Sequence, residues 1–140
     1  MTDALPEWPM RTIGVLVTTG HGPHAIPVSA PLRAGDRRIL LSLHRTRGSL
    51  ARLRERPEVA LAVLAAGNVA FTARGQARIV QEQLEGAPDY AAVAIDVEHA
   101  DDHRQPAFVV EAGVDRRWLD ESERDALGER LRALARLAAT

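Results

Sequence analysis

A chain of 140 residues, 46% hydrophobic and 26% charged with a net charge of −1, has room for one hydrophobic core and the balance of an ordinary globule. Near-neutral charge excludes a general nucleic-acid binder, which needs a cationic excess to neutralise phosphates. The lack of cysteine excludes disulfides and thiolate chemistry, and the lack of lysine among 18 basic residues excludes Schiff-base and P-loop mechanisms.

Any phosphate here must therefore be held by arginine, backbone amides or hydroxyls. No stretch approaches the roughly 20 apolar residues of a membrane span, and MTDALPEWPM lacks a basic-then-apolar signal. A cytoplasmic protein without a membrane partner is expected.

The chain reads as a single domain, 1–140. Residues 1–9 form a tail in which two prolines bracket Trp8. Arg11 to Thr19 has the β-branched composition of a strand and ends at the turn Gly20-His21-Gly22-Pro23. A second strand starts near His24, and Pro27 and Pro31 within that run demand a free edge or a bulge. Ala34-Gly35-Asp36 leads into a third strand, Arg38 to His44.

Gly48-Ser49 opens a short helix with Ser49 as its N-cap, Leu50 and Leu53 as its apolar stripe, and Pro57 as its stop. A strand from Glu58 to Leu64 turns at Ala66-Gly67-Asn68 into a long strand, Val69 to Gln81, that Gly75 should bend. Tyr90 to Glu98 and Phe108 to Val114 read as two further strands. From Asp120 the spacing is helical to about 139, with Leu127, Leu131, Leu134 and Leu137 on one face and arginines on the other. Six or seven short strands in hairpin order, with an inserted and a terminal helix, predict a mainly β fold: a small closed or half-open barrel.

The pattern Pro27-Val28-Ser29, the short helix with Arg54, Pro57 and Val59, and Gly75, Ala77, Ile79 and Val80 in the long strand come in an order that resembles one family. It is the pyridoxamine 5'-phosphate oxidase-like split β-barrels, which include flavin and deazaflavin oxidoreductases. The likeness covers roughly residues 11–80. It implies a homodimer with two flavin sites at the subunit interface, FMN as cofactor and a small organic substrate.

By the same resemblance, Pro27, Val28 and Ser29 line the flavin ring, and Ser42, Leu43 and His44 flank it. The turn Arg45-Thr46-Arg47 with Ser49 takes the phosphate. The partner subunit closes the pocket with Trp118 and with Arg116 or Arg117. The chain departs from the family where a basic pair often stands, since it has Gly48 and Ser49 there, and Arg52 replaces an asparagine or glutamine. No C-terminal Arg and His pair matches the one that grips pyridoxamine phosphate, so the vitamin B6 oxidase activity itself is not implied. Alternatives are a deazaflavin, coenzyme F-420, as cofactor, or a non-catalytic dimeric barrel that binds another planar ligand such as haem.

The residues alone leave Arg45 and Arg47 open between a phosphate site and solvated turn arginines. Arg52, besides its place in the cofactor set, fits the solvated face of the helix together with Arg54 and Arg56. His99 and His103, with Asp101 and Asp102 between them, have metal-ligand spacing only if helical and lack a third ligand. A polar loop, and no metal, is expected there. Trp118 fits dimer core as well as a flavin-stacking role. No Asp/Glu pair suggests acid–base work, and no residue is assigned a catalytic role.

Overall fold

Among residues 4–140, which this computed structural model describes, the apolar runs form seven strands and two helices. They are β1 (Gly14–Gly20), β2 (Gly22–Val28), β3 (Leu32–Arg33), β4 (Arg38–His44), α1 (Gly48–Glu55), β5 (Glu58–Ala65), β6 (Val69–Gln81), β7 (Tyr90–Asp102) and α2 (Glu121–Ala138). Every strand pairing is antiparallel, and the order across the sheet is β2-β1-β5-β6-β7-β4-β3. Pro27 sits in β2, an edge strand, where its missing N–H costs no ladder bond.

The two edges of this sheet are nearly consecutive in the chain. At about 4.8 Å per strand, a flat seven-stranded sheet would hold β2 and β3 roughly 29 Å apart. The link Ser29-Ala30-Pro31 reaches only about 14 Å fully extended. The sheet must therefore curl, and it forms the half-barrel of a split β-barrel.

Period-two alternation along β4 sorts its side chains between two cores. Ile39, Leu41 and Leu43 point into the barrel with Leu61, Val63, Phe71, Val93 and Ile95. Leu40 points out, with Ala92 and Ala94, under Ala133 and Leu134 of α2. Asp120 caps α2 by accepting from the Ser122 amide, 2.9 Å.

Several expectations are corrected. The first strand begins at Gly14, because Arg11 takes a left-handed φ of 66°. Ser49 is not the N-cap of α1: Arg47 occupies that position, its carbonyl accepting from the Leu50 amide at 3.1 Å, and Ser49 is buried in the first turn. The run 108–114 is not a strand. It crosses the strand ends, pairing at Asn68–Val110 and passing close over Leu64, and finds no edge to lie along.

β7 continues to Asp102, so His99 and Asp101 lie in a strand, not a loop. An extended chain sets residues four apart roughly 13 Å from each other, which keeps His99 and His103 from sharing a metal. Residues 1–3 of the expected tail lie outside the described residues. Leu5 is buried, and Trp8 stacks on Phe71 at 5.4 Å and donates from Nε1 to the Pro31 carbonyl at 2.9 Å.

The β6–β7 register shifts at Arg74/Gly75, and a Cβ on Gly75 would stand 2.0 Å from the Asp96 carbonyl oxygen. Gly75→Ala is expected to cost about 2–3 kcal/mol, read from the denaturant midpoint at unchanged slope. At the far end of β7, hydrogen bonds from the Arg104 side chain and then its amide hold the Asp102 carboxyl down to about 2. Because the folded pKa is depressed, the contribution is complete above the ordinary value near 3.9 and fades as pH falls towards 2. NMR titration of Asp102 should show that low midpoint, and Arg104→Ala should move it only part of the way back towards the ordinary range, because the amide bond at 3.0 Å is kept.

Candidate functional site

Curling brings the end of β2 against the second half of β4, and a recess opens on the outer face where α2 meets them. Of the residues expected at a site, Pro27, Val28, Ser29, Ser42, Leu43, His44 and Arg47 all line this recess. Val28 and Leu43 turn their side chains into the barrel core, so they present mainly backbone. Ser42 and His44 share the outer face with Leu40, opposite Ala92 and Tyr90 of β7.

His44 is held by its neighbours. Its ring meets Tyr90 edge-on at 5.1 Å, and Nδ1 lies 2.8 Å from Thr46 Oγ1 and accepts the Thr46 amide at 3.2 Å. Neutral His44 then carries its proton on Nε2. Thr46 thus serves the recess through His44 and does not line it.

Arg47 joins the recess to the start of α1, whose first-turn amides have no side-chain cap and no acidic neighbour in that turn. Arg52 folds back over the same helix start: a Cβ on Gly48 would stand 2.8 Å from its Nη1. Arg45 does not line the recess and lies towards Glu82. The Glu82 carboxyl is held below its usual range first by its hydrogen bonds to Arg54, at 2.6 and 2.9 Å, and also by the Arg45 charge. Arg47 and Arg52 therefore flank one open helix N-terminus, an arrangement suited to a phosphate or carboxylate.

Trp118 lies outside the recess. It packs within its own chain on Ala30, Leu127 and Leu131, with the Arg116 guanidinium 5.4 Å from its ring centroid. Arg116 donates to the carbonyls of Arg11 and Ser29, the latter at 2.6 Å, and so ties the segment before α2 to the link between the sheet edges. Burial, and then the charge of Arg11, lower its pKa.

Two lining residues escaped the sequence reading, Tyr90 and Arg130. Arg130 was expected on the solvent face of α2, yet it is buried on the face that carries Leu127, Leu131 and Leu134. The signal was present in the spacing, since position 130 follows Leu127 by three and precedes Leu134 by four. Among the described residues no group of three or more His, Asp or Glu side chains is placed to hold a metal ion, and no helix is long and apolar enough to cross a membrane.

No family model matches the chain, and no curated protein matches it in sequence. Solved structures do match in fold. A Clostridium acetobutylicum protein of the pyridoxinephosphate oxidase family, related to general stress protein 26, superposes with a TM-score of 0.56 at 16% identity, covering 67% of this chain and 80% of that one. A FAD-binding protein from Mesorhizobium loti gives 0.52 at 14% identity over 64% and 81%. A haem-binding protein from Mycobacterium smegmatis gives 0.50 at 18% identity over 63% of this chain and 47% of its own. The chain has the split-barrel fold these proteins share.

Removing the Arg116 tie should loosen the link that closes the sheet. Arg116→Ala is expected to lower stability by about 1.5–3 kcal/mol, the range for hydrogen bonds to a charged donor. Arg116→Lys should recover only part of that in thermal or denaturant melts, because an ammonium lacks the guanidinium fork.

Proposed function

We propose that the recess is half of a flavin site completed by a second copy of the chain, and that the protein is an FMN-dependent oxidoreductase acting on a small organic substrate. The observation that carries this reading is the position of Arg47, at once wall of the recess and N-cap of an open helix start. A phosphate held there by Arg45, Arg47, Arg52 and the first-turn amides leaves the rest of the ligand at the ends of β2 and β4.

Bound FMN supplies the hydride chemistry, which is consistent with the absence of any carboxylate from the recess lining. The chain's own part is to bind and orient. β2 has no strand on its outer side, so half of its backbone polar groups face outward to meet a polar ring edge. Ser42 and the Nε2–H of His44 add side-chain donors.

One chain alone cannot enclose a tricyclic ring. The recess holds about 80 Å³, less than the roughly 150 Å³ that admits a benzene ring. A second copy is the natural cover, and apolar surface for it exists: Phe108, Val109, Val114 and Leu119 are all exposed along the segment that crosses the barrel end.

Two other cofactors fit parts of the same site. Coenzyme F-420 would offer its acidic tail to the same arginines. Haem would need the other tautomer of His44, with the proton on Nδ1 and donated to Thr46 Oγ1 so that Nε2 is free for iron, at the cost of the bond from the Thr46 amide.

Titration of the purified protein with FMN, coenzyme F-420 and haem, followed by tryptophan fluorescence and visible absorbance, separates these readings. FMN is expected to bind to a dimer, and the double variant R45A/R47A to weaken it by roughly 2–5 kcal/mol while riboflavin, which has no phosphate, binds as before. A monomer by sedimentation that takes up haem but neither flavin would overturn the proposal.

A further inference from the structure

The wall of the recess holds a largely buried cation with no counter-charge. Arg130, on α2, is 8% exposed and stands among Leu127, Leu131, Ala133 and Leu134 on the helix face turned to the barrel. Its guanidinium carbon lies 4.1 Å from the centroid of the Tyr90 ring, and its Nε is buried with no hydrogen-bond partner. Among the described residues no ion pair engages it. The other ionisable groups lining the recess are Arg47, His44 and Tyr90, with no carboxylate among them.

A guanidinium partly taken out of water with no counter-charge is destabilising, and an aromatic face offsets only part of that cost. An apolar residue of similar length at position 130 would continue the leucine stripe without it. The surrounding chemistry therefore lacks one component, an anion. A space of about 80 Å³ is too small for a ring system yet fits a group of carboxylate or phosphate size.

We propose that Arg130 is the anion receptor of the recess and binds the carboxylate or phosphate group of a small-molecule ligand above the Tyr90 ring. The guanidinium supplies a fork of donors matched to two oxygens, and the low local dielectric strengthens each bond. Tyr90 holds the plane of the fork from below. Arg47 adds charge from the opposite wall. The inference depends on the recess and not on the flavin reading, so it can be tested on protein free of cofactor.

The chain has one tyrosine, so its ring NMR signals report on Arg130 without ambiguity. Cofactor-free protein titrated with inorganic phosphate, acetate and benzoate, at ionic strength fixed with chloride, should show saturable shifts of Tyr90. Affinity is expected to fall at least ten-fold in R130Q and to hold in R132Q, which alters a surface arginine paired with Glu129. In the wild-type protein the Nε–H signal of Arg130 should move in the same titration.

R130M should melt higher than wild type in anion-free buffer, because a buried lone charge is gone, and lose the protection that phosphate gives wild type. Comparing FMN with riboflavin in R130Q then identifies the source of the anion. A selective loss of FMN assigns it to the cofactor's phosphate, and unchanged binding of both flavins assigns it to a separate substrate. Equal anion affinity in wild type and R130Q, or an Arg130 Nε–H signal that stays fixed throughout, overturns the proposal.

Discussion

Between Val28 and Leu32 the chain passes from one edge of a seven-stranded sheet to the other in three residues, and this short tether forces the sheet to curl. Everything at the candidate site follows from that closure. It brings the end of β2 beside β4, although four strands separate them in the sheet order, and it leaves a split where neither edge pairs with the other. Trp8 donates to Pro31, and Arg116 donates to Ser29, so both ends of the tether are fastened by side chains from distant parts of the sequence.

The split also leaves polar backbone open beside the candidate site. An edge strand offers backbone donors and acceptors that a closed barrel would have consumed. Next to it, α1 begins with uncapped amides beside Arg47 and Arg52, and α2 turns Arg130 inward. Arg47 and Arg130 thus share one small recess without a carboxylate in its lining.

The strand runs, the Gly75 bulge, the Pro57 stop and the helix after Asp120 were all legible, because period-two and period-3.6 burial leave their mark on residue order. Legibility failed where a local pattern had no edge to satisfy it: 108–114 has a strand's composition, yet both sheet edges lie elsewhere. It failed again at Ser49, a good cap by residue type, since the turn Arg45-Thr46-Arg47 starts the helix two residues early. At Arg130 the stripe position was visible, but the expectation that arginine faces water outweighed it.

Residue order alone established the class of fold, the absence of thiol and lysine chemistry, and the strand ends and arginine turn on which a phosphate site is argued, because composition and periodicity are local properties. Which of those residues share a recess was decided by closure of the sheet, since the curl couples positions far apart in the chain. Arg130 and Tyr90 meet across 40 residues of sequence, and no local pattern encodes that contact. It comes from α2 packing on the outer face of β4 and β7, where burying the leucine stripe carries the arginine in with it.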